Sequence, residues 1–170
     1  MPLMNRSLVS LVCTVVGFAS LTVATRAQEP RLANLSTRAE VGTQANQLIT
    51  GFVIGAGANK TVLIRAVGPT LASAPFNIAG TLADPYLTLF NGANVQIAAN
   101  DNWGTPLNGA TAVTAATYSS VGAFALASAT SRDAAIVATL PRGSYSAVVS
   151  GVGNTSGLAR HIQGSIRRKI

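Results

Sequence analysis

Leu48-Ile49-Thr50-Gly51-Phe52-Val53-Ile54 is apolar and β-branched, and the glycine-bearing run Gly55–Asn59 ends it. Lys60-Thr61-Val62-Leu63-Ile64-Arg65-Ala66-Val67 follows at once, so the pair predicts a β-hairpin. Tyr86–Phe90 and Val95–Ala98 flank Asn91-Gly92-Ala93-Asn94, a second hairpin signal with Asn-Gly in its turn. Asp133–Leu140 predicts another strand, closed by Pro141-Arg142-Gly143. In Ser144–Val152, Tyr145, Ala147 and Val149 share one face and the serines largely share the other, the two-residue period of a half-buried strand. Leu32–Val41 and the shorter Phe124–Ala127 complete the set. Ala110–Ser120 is alanine-rich but carries Thr111, Val113, Thr114, Thr117 and Tyr118 and shows no charged face, so it reads as loop or irregular strand, with a short helix as the alternative. About seven or eight short strands, with turns about every 8–12 residues, predict an all-β fold: one antiparallel β-sandwich, jelly-roll or immunoglobulin-like.

The first 27 residues carry a different pattern. Arg6 precedes an uncharged apolar run from Ser7 to Ala24, and Thr25-Arg26-Ala27 places small residues before Gln28. This is the layout of a secretory signal peptide over 1–27. The rival is a retained anchor, because the run approaches the roughly 20 residues that span a bilayer. Cys13 follows Val12 inside the apolar run, which does not suit lipid attachment, so it leaves with the signal. After cleavage no membrane span remains, and the expected location is secreted or cell-surface.

Composition narrows the function. The chain of 170 residues has one cysteine and one histidine, which excludes a disulfide framework and a multi-histidine metal centre within one chain. Charged residues make up 10%, against about 25% in an ordinary soluble domain. The formal charge of +7 is unevenly placed. Arg6 and Arg26 belong to the leader, and Arg160, Arg167, Arg168 and Lys169 to the end. The body from Gln28 to Gly157 sets Arg31, Arg38, Lys60, Arg65, Arg132 and Arg142 against Glu29, Glu40, Asp84, Asp101 and Asp133. A nearly neutral body gives no footprint for nucleic acid.

Catalytic signatures are weak. Gly55-Ala56-Gly57-Ala58-Asn59-Lys60-Thr61 lacks the glycine before Lys-Thr that a phosphate-binding loop needs, and a strand follows rather than a helix. Serine catalysis needs a base beside the hydroxyl, and His161 lies in the basic end, outside the predicted core. No two carboxylates stand at a motif spacing, so no catalytic residue is assigned and the chain reads as a non-enzyme. Asn100-Asp101-Asn102 with Asp84 upstream is the best polar cluster, and Asp84, Asn100 and Asp101 are candidate calcium ligands, against the alternative of a side-chain-stabilised turn. Trp103, in a loop beside Gly104 and Pro106, and Tyr86 are the candidate ligand-binding aromatics. Asn34-Leu-Ser, Asn59-Lys-Thr and Asn154-Thr-Ser fit the short N-glycosylation pattern.

Three blocks recur in order: Arg31–Arg38 with Val41-Gly42-Thr43, Gly51–Ile54 through Lys60–Leu71, and Leu82–Phe90 to Asn100–Trp103. Together they resemble a secreted bacterial β-sandwich module of uncharacterised function. The second half, with Asp133–Val137 and Pro141–Gly151, is distantly similar to the bacterial pre-peptidase C-terminal domain. The resemblance implies an exported, non-catalytic accessory domain, some members being calcium-stabilised and some binding a polymer; calcium ligation would map onto Asp84, Asn100 and Asp101, and the expected partner is an extracellular polysaccharide or protein, such as one of the cell envelope. A structural spacer or self-associating surface unit is the alternative, and a small secreted hydrolase a more distant one. Such modules close with an apolar strand, whereas residues 158–170 give a basic tail, natural or frameshifted, in its place. Losing that strand would leave a sheet edge open to self-association. Mass spectrometry of the exported protein should find Gln28 at the amino terminus; an intact Met1 would favour the anchor.

Overall fold

The computed structural model describes residues 34–166 of the chain. The strand over Lys60–Val67 has six consecutive buried residues, Val62 to Val67, so it must be covered on both faces. That demands a central place in a sheet and a second layer on each side. In chain order the elements are β1 (Asn34–Val41), β2 (Leu48–Ile54), β3 (Lys60–Val67), the one-turn helix α1 (Pro69–Ala72), β4 (Pro85–Asn91), β5 (Gln96–Asn102), β6 (Thr105–Leu107), the short helix α2 (Ala115–Ser120), β7 (Ala134–Leu140), β8 (Gly143–Gly151), a 3₁₀ turn (Val152–Asn154) and β9 (Gly157–Ile166). They form a four-stranded sheet, β1-β9-β3-β7, and a five-stranded sheet, β2-β8-β4-β5-β6. Every strand pairing within the two sheets is antiparallel. The predicted all-β antiparallel sandwich is what the chain forms, with nine strands among the described residues.

The core between the sheets is built by alternation. Val62, Ile64 and Ala66 of β3 and Ala134 and Ile136 of β7 meet Leu87 and Leu89 of β4, Ala98 of β5, and Tyr145, Ala147 and Val149 of β8. The predicted period in β8 is therefore the one that fills the core.

Three local expectations change. The Gly55–Asn59 turn does not close a hairpin: β2 pairs with β8, and β3 pairs with β7 and β9, in the opposite sheet. β2 alternates and has its outer face open, which suits a sheet edge, whereas the doubly buried β3 cannot pair beside it and still be covered twice. Asn91-Gly92-Ala93-Asn94 does close the β4–β5 hairpin, with the Asn91 amide oxygen accepting from the backbone N–H of Ala93 and Val95. Phe124–Ala127 is not a strand, and Ala115–Ser120 is a helix. Its capping box is made by two threonines: Thr114 accepts from the Thr117 N–H while the Thr117 hydroxyl accepts from the Thr114 N–H.

The largest correction concerns the chain's end. Residues 157–166 are not a tail. They form β9, which lies between β1 and β3 and pairs with both. Ala159 and His161 point into the sandwich core while Arg160 and Ile162 point to the other face. Arg160 and His161 are adjacent, so the strand period sends one to each face of the sheet, and the segment pairs in spite of its polar residues. The edge that a missing last strand would have exposed is filled. The signal segment 1–27 and residues 167–170 lie outside the described residues. Because β9 bridges two strands, a chain ended after Gly157 should lose its cooperative thermal transition in circular dichroism; an unchanged melt would restore the reading of a dispensable tail.

Candidate functional site

The two sheets differ in what covers their outer faces. On the four-stranded sheet, Leu63 and Val67 of β3, Ala135 of β7 and Ile162 of β9 point away from the sandwich core. Two excursions of the chain cover them. Residues 68–82 contribute Leu71, Phe76 and Ile78, and residues 103–131 contribute Trp103, Val113, Tyr118, Phe124 and Leu126. This second apolar layer is what buries the far side of β3.

A polar knot fastens the cover. Asp133 is fully buried just ahead of β7. One carboxylate oxygen accepts from the backbone N–H of Gly68 at 2.8 Å and of Thr70 at 3.3 Å. The other accepts from the hydroxyls of Thr70 and Ser131. Gly68 is required here, since a Cβ would collide with the Leu82 carbonyl oxygen. Asn100, also fully buried, ties the two sheets together: its amide oxygen accepts from Ala135 N–H at 3.1 Å, and its amide nitrogen donates to the carbonyls of Asn102 and Thr105. Trp103 N–H donates to the Asp133 carbonyl at 2.8 Å.

The predicted site residues are dispersed among these roles. Asp84 pairs with Arg132 at 3.2 Å. Asp101 accepts from the Asn102 amide at 2.8 Å, and the Asn100 oxygen is engaged by Ala135. Among the described residues no group of three His, Cys, Asp or Glu side chains is placed to share a metal ion. Trp103 is half-buried, packs against Tyr118 with ring centroids 5.6 Å apart, and donates its indole N–H to the Ser128 carbonyl. Tyr86 pairs in register with Ser150 and faces out from the five-stranded sheet. Trp103 and Tyr86 therefore serve opposite outer faces of the sandwich and cannot form one platform.

Among the described residues the outer face of the five-stranded sheet is open at β2 and along β8, while Thr88 and Ala99 on it are buried. Its register sets Ile49, Gly51 and Val53 of β2 beside Val148, Ser146 and Ser144 of β8. Tyr86, Thr88 and Phe90 of β4 then stand beside Ser150, Val148 and Ser146, and Ala99 of β5 beside Thr88. None of these positions is charged. Ile49 and Val53 are 62% and 72% exposed, and Tyr86, Phe90 and Val148 are half-buried. A pleated apolar strip edged by serine and threonine hydroxyls is the result. Sequence reading picked out Tyr86 alone. The rest of the strip lies on β4 itself and on β2, β8 and β5, and only the pairing of these strands assembles it.

A cleft of about 420 Å³ opens at the side of the sandwich, between Ile97, Ala98 and Gly109 on one wall and Val137–Pro141 on the other. Two of its polar groups are spent internally: the Tyr145 hydroxyl donates to the Pro141 carbonyl at 2.9 Å, and the Asn91 oxygen is used within its own turn. It carries no charged side chain.

A comparison with protein-family models finds no match, and a comparison with curated proteins finds none either.

His161 is not in an exposed tail but wholly inside the sandwich core, and neither ring nitrogen has a hydrogen-bond partner. No hydroxyl stands ready to be activated by it. Burial pushes its pKa from 6.5 down to about 4, so the folded chain keeps it neutral. Between these values the unfolded chain binds the extra proton, so stability falls as pH drops through that window. The full loss is about 3 kcal/mol. His161→Leu should flatten the pH dependence of the unfolding midpoint between pH 6.5 and pH 4; an unaltered slope would assign it to another group.

Proposed function

We propose that the protein is an exported, non-catalytic binding module of the secreted β-sandwich kind, and that the bare face of its five-stranded sheet docks a neutral extracellular polysaccharide. One observation carries the reading: the outward positions of β2, β8 and β4 hold aromatic, aliphatic and hydroxyl side chains without a single charge, and the first acid at their border is Asp101 of β5. Sugar rings present apolar C–H faces and equatorial hydroxyls. Tyr86, Phe90 and Val148 can pack against the former, and Ser144, Ser146 and Ser150 can hydrogen-bond the latter. Stripping water from an uncharged strip costs far less than desolvating ions. Monomeric proteins seldom leave a contiguous apolar patch without a use for it. The signal-like leader supports the extracellular placement. A lone histidine sealed in the core supports the absence of hydrolytic machinery.

A second reading has its own observation. β2 ends the five-stranded sheet, and its exposed Ile49 and Val53 stand on that open edge. Such an edge can pair with a second copy, which would make the chain a self-associating surface unit.

A neutral glycan array should give saturable binding that weakens about tenfold or more in Tyr86→Ala, and that Ser146→Glu abolishes by placing a charge mid-strip. Sedimentation on the same samples separates the rival. A concentration-dependent dimer dispersed by Val53→Asp, without glycan binding, would replace the first reading with the second.

A further inference from the structure

β7 is the last strand of the four-stranded sheet, so one side of its main chain has no strand beside it. The chain caps that side piece by piece. Trp103 N–H donates to the Asp133 carbonyl, the Asn100 amide oxygen accepts from Ala135 N–H, and Thr111 N–H donates to the Val137 carbonyl. The capped residues are every second one, as an antiparallel strand presents them, and the next in the series is Thr139. Its hydroxyl is turned to that of Thr61 at 2.8 Å, but among the described residues its main-chain N–H and C=O meet no partner. Thr139 is exposed and lines the side cleft of about 420 Å³.

The opposite wall, on β5, also stands beyond its neighbouring strand. β6 pairs with β5 only between Ala99 and Asn102. Ile97 lies past that pairing and is the residue skipped by the bulge in the β4–β5 ladder. Gly109 lies flat against it, since a Cβ there would come within 2.5 Å of the Ile97 carbonyl oxygen. Its φ of +77° turns the chain away toward Thr111 and leaves the cleft open. Ala98, Ala138 and Leu140 line it with small or apolar side chains. At the Pro141 end, register sets Lys60 beside Leu140, and Arg142 follows Pro141. Both of these charges are basic.

We infer that this cleft receives an extended peptide of another protein, which pairs with β7 at Thr139 as a short antiparallel strand. The N–H and C=O of an edge residue are matched by a second main chain, which supplies one donor and one acceptor at the same spacing. The walls select the side chains. Small uncharged residues fit against Ala98, Ala138 and Leu140, whereas a charge there would lose its water without gaining a partner. Pro141 has no N–H to donate, so the ladder stops there, and Lys60 and Arg142 beyond it favour acidic residues. Because the added strand runs antiparallel to β7, these acids precede the small residues in the partner's sequence. Thr111 blocks the other end at Val137. The cleft is separate from the outer strip of the five-stranded sheet, so this inference and the glycan reading stand or fall independently.

Fluorescence anisotropy of a labelled peptide, Asp-Asp-Gly-Val-Thr-Val-Ala, titrated with the full chain tests this. Binding should saturate, and it should weaken about tenfold or more in Thr139→Pro, which removes the outward N–H and no bond to β3. N-methylation of both valines in the peptide should abolish it, and Lys-Lys in place of Asp-Asp should weaken it about tenfold. Ser146→Glu, on the outer strip, should leave it unchanged. Should Thr139→Pro not fold, the unaltered chain supplies the readout: amide hydrogen exchange at Thr139 should slow when the peptide is added. Equal binding of the N-methylated peptide, unchanged exchange at Thr139, loss of binding in Ser146→Glu, or no saturable binding would overturn the assignment.

Discussion

Burial of β3 on both faces is the constraint from which the rest of the structure follows. A strand reading Val-Leu-Ile-Arg-Ala-Val must be central, flanked on both sides, and sandwiched between two layers. Its flanks are β7 and β9, drawn from the far end of the chain. Its first layer is the five-stranded sheet. Its second is not another sheet, because no further strand remains among the described residues, and two long excursions supply it with Leu71, Tyr118, Phe124 and Leu126. Asp133 and Asn100 are buried polar residues because irregular chain lying over a sheet leaves backbone N–H groups that need acceptors. Arg65 is the exception in an otherwise apolar strand, stacked on Tyr118 and Phe124 with Asp133 as its buried counterion.

The same division of labour accounts for the bare face. Both excursions go to the four-stranded sheet, so among the described residues much of the outer side of the five-stranded sheet is left open, Ile49 and Val53 most of all. Serines and threonines make that exposure tolerable. One outer face of the sandwich thereby carries the cover and its polar knot, and substitutions on the exposed positions of the other do not touch the core.

The end of the chain shows how composition can mislead. Arg160, His161 and Gln163 read as a polar tail when counted as charges. Placed at the strand period they divide cleanly, with Arg160 going outward over Phe124 and His161 inward to the core. A histidine that is neutral fits such a place, at the cost of sensitivity to acid. Trp103 and Tyr86 illustrate the converse. Both looked like exposed binding aromatics, yet Trp103 packs into the cover and only Tyr86 lies on the open strip.

The residues alone determine the strand-forming segments, the β4–β5 hairpin, the alternation that fills the core from β8 and hence the all-β class, because each of these depends on side chains a few positions apart. They also determine the low charge of the body. Tertiary structure decides which sheet each strand joins. β2 and β3 are neighbours in sequence but belong to opposite sheets, and β9 enters between β1 and β3. Closing a long loop costs little more than closing a short one, so pairing follows which strand has two faces to bury rather than which is next in the chain. The bare strip, the polar knot around Asp133 and the enclosure of Arg65 all arise from that choice.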